Sequence, residues 1–93
     1  MPETKQSDCV LCNSLAQFEY HNDGQIRYYK CKLCHYYAIS ERAVRYLQKH
    51  PKRKFNIAQK VIKMSNEIHI LEITYDSKIR DLKLAKVSRN KYF

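Results

Sequence analysis

The cysteines stand as Cys9-Val10-Leu11-Cys12 and Cys31-Lys32-Leu33-Cys34, two Cys-x2-Cys pairs that use every cysteine of the 93-residue chain and leave 18 residues between them. Two residues between ligands let the backbone wrap a tight turn around one face of an ion. Two such turns supply the four sulfurs of a closed tetrahedral site. The second pair runs on into His35, and Cys-x-x-Cys-His is also the attachment signature of a c-type haem. Haem would leave Cys9 and Cys12 unused and normally follows export, whereas the opening MPETKQSD carries neither a basic nor an apolar leader region. Two disulfides are the third use of four cysteines, but that framework belongs to secreted domains. The spacing therefore predicts one ion held by Cys9, Cys12, Cys31 and Cys34. Zinc is the expected metal, one structural Zn2+, with iron in a rubredoxin-like site as the rival that shares the same ligands. A four-thiolate site has no open coordination position, so the metal is expected to staple the fold. Chelation or Cys31→Ser is expected to unfold residues 9 to 39. His21, His50 and His69 then read as surface or core residues, because the site is already full.

The residues between the pairs must bring them together. Gln17-Phe18-Glu19-Tyr20 alternates polar with aromatic, Asn22-Asp23-Gly24 supplies turn chemistry with the single glycine of the chain, and Gln25 to Lys30 resumes an extended pattern. This predicts a β-hairpin. A metal knuckle commonly needs a residue at positive φ after its second cysteine, and the chain places Asn13 and His35 there, two types enriched in that region among non-glycine residues. His35 thus has a backbone reason to follow Cys34. Together, CVLC, the hairpin spacer, CKLC and the strand His35-Tyr36-Tyr37-Ala38-Ile39 resemble the zinc-ribbon superfamily over about the first 40 residues. The stretch CKLCHYYAISERAVRYL is also similar to amino-terminal ribbons of uncharacterised bacterial proteins. The resemblance implies a ribbon fold and leaves function open, since ribbons serve in transcription, translation and adaptor roles.

Beyond the ribbon the charge changes. Residues 1 to 40 carry four basic and four acidic side chains, residues 41 to 66 eight and one, and residues 67 to 93 six and four, so the net +9 is concentrated in the middle segment. Ser40 is a suitable N-cap and Glu41 suits the first turn of a helix whose inner face is Ala43, Val44 and Leu47. Arg42, Arg45 and Lys49 recur at three- and four-residue steps as a basic stripe. Pro51 ends this helix and can open the next, expected to run to about Asn66 with Phe55, Ala58, Val61, Ile62 and Ser65 inward and Asn56, Lys60 and Lys63 outward. Lys52, Arg53 and Lys54 near a helix N-terminus oppose the dipole, which a bound phosphate would relieve. Alternatively the helix starts at Asn56, with Gln59 completing a capping box and residues 51 to 54 as a solvated linker.

From Ile68 to Tyr75 β-branched residues dominate, and Leu82 to Val87 alternates. A second hairpin with its turn at Asp76 to Arg80 fits, and so does a continuous helix through Leu82. Ser88 to Phe93 is a basic, aromatic tail. Tyr28-Tyr29 and Tyr36-Tyr37 send one ring of each pair to each sheet face, where they either pack the ribbon or offer a platform for stacking bases.

The expected fold is thus α+β: a small four-cysteine zinc ribbon (a β-hairpin plus a third strand, 7–39), two short helices in a basic segment (40–66), and a C-terminal β-hairpin with tail (67–93), in one domain over 1–93. A chain of this length buries roughly 60 to 65 per cent of its unfolded surface, so a staple is in keeping. No glycine-rich phosphate loop, catalytic constellation or apolar run of membrane-spanning length is present, so an enzyme, a small-molecule substrate and a membrane partner are not expected. An intracellular, reducing, cytoplasmic setting is expected. Two functions follow from the charge. One is binding of DNA or RNA through phosphates, with Arg42, Arg45, Lys49, Lys52, Arg53, Lys54, Lys60 and Lys63 as contacts. The other is a protein adaptor or inhibitor that engages an acidic protein surface or a sheet edge.

Overall fold

A computed structural model describes residues 4–21 and 24–92 of the chain. Alternation between polar and bulky residues sets strands β2 (Leu15–His21) and β3 (Ile26–Cys31), which pair antiparallel with Phe18 opposite Tyr29. Gly24, at φ 86°, occupies the turn between them; Asn22 and Asp23 of the expected turn lie outside the described residues. β3 pairs antiparallel with β4 (His35–Ser40), so Tyr29 meets Tyr37 with ring centroids 5.1 Å apart.

A polar strand, β1 (Thr4–Asp8), lies along the outer edge of β2. Its residues Thr-Lys-Gln-Ser-Asp have no apolar period, and its place in the sheet comes from backbone pairing with β2. At the other side, β5 (His69–Asp76) pairs in parallel with β4, Tyr37 opposite Leu71 and Ile39 opposite Ile73. β6 (Asp81–Ser88) then pairs antiparallel with β5 along its whole length. Residues 69–76 are therefore strand and not the continuation of a helix through Leu82. The six strands form one sheet in chain order.

Parallel pairing of β4 with β5 requires a crossover, and helices α1 (Glu41–Lys49) and α2 (Arg53–Met64) supply it, packing over those two strands. Ser40 caps α1, its Oγ accepting from the Ala43 N–H at 3.1 Å. Glu41 binds the Arg27 guanidinium, which also donates to the Tyr29 hydroxyl at 3.0 Å and so ties the start of α1 to β3. Ala43, Val44 and Leu47 are buried as the periodicity predicts.

α2 differs from expectation in start and rotation. Pro51 sits in a turn before the helix, where the Arg53 N–H donates to the His50 carbonyl and the Lys54 N–H to the Pro51 carbonyl. The helix begins at Arg53, so Asn56 is not its cap. The buried stripe is Ile57, Ala58 and Val61, whereas Phe55 is 68% and Ile62 40% exposed. Packing on the sheet selects a different face of the helix, and Ile57 replaces Phe55 and Ile62 as the anchor. Ser65 does turn inward, donating its hydroxyl to the Tyr36 carbonyl at 2.7 Å.

The main core joins Phe18, Tyr29, Tyr37, Ile39, Leu71 and Ile73 of the sheet to the buried faces of α1 and α2 in one cluster. The opposite sheet face carries a smaller cluster of Tyr28, Ala38 and Ile70 flanked by Ile26, Tyr36 and Val87. A 3-10 turn, Arg89–Tyr92, follows β6, and the Arg89 guanidinium lies 3.9 Å from the Tyr36 ring centroid. Tyr28, Tyr29 and Tyr37 are fully buried and Tyr36 is covered by Arg89, so these tyrosines pack the sheet and do not form an open stacking platform.

Candidate metal centre and basic face

The two knuckles sit where the β1–β2 and β3–β4 connections come together. Cys9 and Cys12 lie in the first of these, which the Asn13 N–H closes on the Cys9 carbonyl at 2.9 Å and the Cys9 N–H closes on the Ser14 carbonyl at 2.7 Å. Cys31 ends β3, Cys34 precedes β4, and the Cys34 N–H donates to the Cys31 sulfur at 3.4 Å. Asn13 and His35, at φ 62° and 67°, hold the left-handed positions anticipated for them after each pair. Both knuckles thus have the local geometry that turns two sulfurs of a Cys-x2-Cys pair to one point.

All four Sγ atoms lie within 4.8 Å of one another, close enough to bind one metal ion. Cys9 and Cys34 are 4.0 Å apart and Cys12 and Cys31 are 3.4 Å apart. A tetrahedron of thiolates at the metal–sulfur length of about 2.3 Å found for zinc has edges of about 3.8 Å. The donor set and its spacing fit such an ion. Cys9, Cys31 and Cys34 are buried and Cys12 half-buried, and no disulfide joins them.

Burial pushes the Cys9 thiol up to about 11, despite the hydrogen bond to Tyr37. Burial and the neighbouring Cys9 raise Cys34 further. Burial also acts upward on Cys12, yet hydrogen bonds from the Ser14 backbone and hydroxyl and from Cys31 bring it down to about 7. The Cys9 and Cys34 thiols therefore keep their protons at neutral pH, and an ion must displace them to enter. The Tyr37 hydroxyl lies 3.1 Å from Cys9 Sγ on a fully buried side chain. Burial holds its own acidity well below that of an ordinary phenol, so the hydroxyl keeps a proton that it can donate to a Cys9 thiolate. Sequence reasoning assigned Tyr37 only to packing or base stacking; its place as the first inward side chain after the second knuckle was the available signal.

The predicted basic contacts fall into separate groups. Arg42, Arg45 and Lys49 of α1 line one concavity with Tyr46, His50, Tyr75 and Arg80. Lys60 and Lys63 line a second along α2 with Arg53, Asn56 and Gln59. Lys54 lies in a third, between α2 and the knuckles, with Leu11, Leu33, Phe55 and Ile62. Lys52 is exposed in the turn before α2. Arg53 is ion-paired to Asp81 and donates to the Tyr46 hydroxyl at 2.9 Å, so its charge is already neutralised. The N–H groups of Arg53 and Lys54 are taken by the preceding turn, which removes the phosphate cradle considered for this helix start. Arg80 joins the α1 group from the β5–β6 connection, a partner that no sequence period links to α1.

Among the described residues no helix is long and apolar enough to cross a membrane. Compared with protein-family models, curated proteins and solved structures, the chain has no match in any of the three.

Proposed function

We propose that the chain is a small protein stapled by one structural zinc ion in a four-cysteine zinc ribbon, and that it binds DNA or RNA mainly through phosphate contacts. The observation that carries the nucleic-acid reading is the state of the cations. Arg42, Arg45, Lys49 and Arg80 share one concavity and have no carboxylate partner among the described residues, while Arg27 and Arg53 are paired. Four unneutralised cations on one surface raise the local positive potential and favour a polyanion, whose binding releases condensed counterions. The closed set of four thiolates supports a staple in place of a catalytic metal, and no catalytic role is assigned. Lys60 and Lys63 line a second concavity on α2, with Lys52 in the turn before it and Lys54 beside the knuckles, as further cations for phosphate contact.

Fluorescence anisotropy with short single- and double-stranded DNA and RNA at two salt concentrations tests this reading. Binding should weaken steeply with salt. Changing Arg42, Arg45 and Lys49 to Gln should weaken it and flatten the salt slope by roughly one for each phosphate that is no longer neutralised. Absence of binding at low salt would overturn the reading. Native mass spectrometry should find one zinc; one iron in its place would overturn the metal assignment.

A second reading, a protein adaptor or inhibitor, is supported by the concavity beside the knuckles. Leu33 and Phe55 are 60% and 68% exposed there beside Lys54, a combination suited to an acidic partner with apolar anchors. Acidic amphipathic peptides that shift the Leu33 and Phe55 resonances, with no nucleic-acid binding, would favour it.

A further inference from the structure

The α1 concavity holds more than charge. Tyr46 is the middle of three rings, with the His50 centroid 4.4 Å away at 39° and the Tyr75 centroid 5.5 Å away at 36°. The Tyr46 hydroxyl is fixed at its far end, donating to Asp81 at 3.2 Å and accepting from Arg53 at 2.9 Å. Arg53 and Asp81 thus clamp the row from behind. The ring order is set by α1, its C-cap and β5.

Around this row stand Arg42, Arg45, Lys49 and Arg80, none of them neutralised by a carboxylate among the described residues. Arg80 holds φ 53°, a conformation that glycine or asparagine adopts more easily. Sparsely populated backbone kept at a non-glycine residue is a pointer to a functional position when the surroundings agree. Here they agree, since the residue brings a fourth cation to the same concavity from a different element.

Phosphates alone would need only the cations. Rings flanked by cations suit a ligand that is alternately aromatic and anionic, and duplex ends aside, a double helix keeps its bases stacked on one another. We propose that this concavity is a subsite for single-stranded nucleic acid: unpaired bases stack on the outer rings, His50 and Tyr75, while Arg42, Arg45, Lys49 and Arg80 take the flanking phosphates. The inference rests on the nucleic-acid reading above and names its ligand as single-stranded. Stacking of this kind tolerates any base and does not require a ribose 2′-hydroxyl, so DNA and RNA strands both qualify.

The test uses the metal-loaded full chain with labelled oligodeoxythymidylate, oligouridylate and a DNA hairpin duplex of matched phosphate number. The single strands should bind more tightly than the duplex. Tyr75→Leu, which keeps an apolar side chain against the core, and His50→Ala, at an exposed position, should each weaken single-strand binding by about tenfold, in line with loss of one base–ring stack, and leave duplex binding unchanged. Ring-proton resonances of Tyr75 should move upfield on adding oligodeoxythymidylate to the unaltered protein, a readout that does not depend on any variant folding. If strands bind with salt-dependent affinity but neither variant nor the Tyr75 resonances respond, the stacking subsite is wrong and phosphate docking stands. If no nucleic acid binds, both fall. Oligouridylate binding without oligodeoxythymidylate binding would overturn the sugar-indifferent form stated here.

Discussion

At the four-cysteine cluster, side chains that offer no sulfur bear on how well an ion would be held. The Tyr37 hydroxyl within 3.1 Å of Cys9 Sγ places a donor where a bound thiolate gains from one, and the side chain is too buried to exchange that partner for water. Groups of this kind beside a metal typically change affinity 10- to 100-fold. Tyr37→Phe keeps the ring against Tyr29 and removes only the hydroxyl, so the fold should lose about 1 kcal/mol. Metal affinity, measured by competition with a chromophoric chelator, should fall at least about tenfold. An unchanged affinity in a folded variant would leave Tyr37 a packing residue only. The thiols also fix the sign of the pH response. Because burial raises Cys9 to about 11 and Cys34 above its ordinary range, loading the ion must expel protons. Acidification therefore opposes loading, and the ion should be lost progressively as pH falls. Proton uptake on adding metal at neutral pH, followed with an indicator dye in weak buffer, would contradict this.

At the scale of elements, α2 offers the sharpest test of packing. Ile57 is buried against the sheet while Phe55, two residues earlier, lies in the open beside the knuckles. Ile57→Ala should cost about 2 to 5 kcal/mol by urea unfolding, whereas Phe55→Ala should stay within about 0.5 kcal/mol of the parent. The reverse ranking would mean that α2 sits with the rotation read from its sequence. The sequence favours the other rotation because Phe55, Ala58 and Ile62 recur at helical steps as well as Ile57 and Val61 do, and Pro51 suggests an earlier start than the turn at His50 allows. Elements whose signals are local were legible. The knuckles, the left-handed Asn13 and His35, the Ser40 cap and the α1 face each follow from residues within a few positions of one another. What joins distant segments was not legible. β1 is polar and held by backbone pairing, the parallel register of β4 on β5 leaves no mark in either strand, and Arg53 finds Asp81 across 28 residues. The candidate site divides the same way, since the four cysteines announce themselves by spacing and the convergence of Arg80 and Tyr75 on α1 does not.

For the whole molecule, the position of the four-cysteine cluster within the sheet determines how far the loss of a bound ion would be felt. Residues 9 to 39 contain the knuckles and the strands between them, so sequence alone confines unfolding on chelation to that stretch. The topology argues for a wider effect. Cys34 leads directly into β4, and β4 carries Tyr37 and Ile39 beneath both helices while pairing with β5 on its other side. Releasing the second knuckle frees one end of the strand that α1, α2 and β5 all depend on. Zinc in small finger peptides contributes roughly 10 to 16 kcal/mol, as large as the whole stability of a typical domain, and 93 residues leave little core in reserve. Removing the ion with a chelator, or one ligand with Cys31→Ser, should therefore abolish the helical far-ultraviolet dichroism together with the near-ultraviolet tyrosine signal in one transition. Restoring zinc to the chelated protein should recover both, while Cys31→Ser should recover neither at the same zinc concentration. Helical dichroism that survives chelation while the tyrosine signal is lost would show the helices and β5–β6 to be stable without the knuckles and the strands they join, and the sheet to be two cooperative units in place of one.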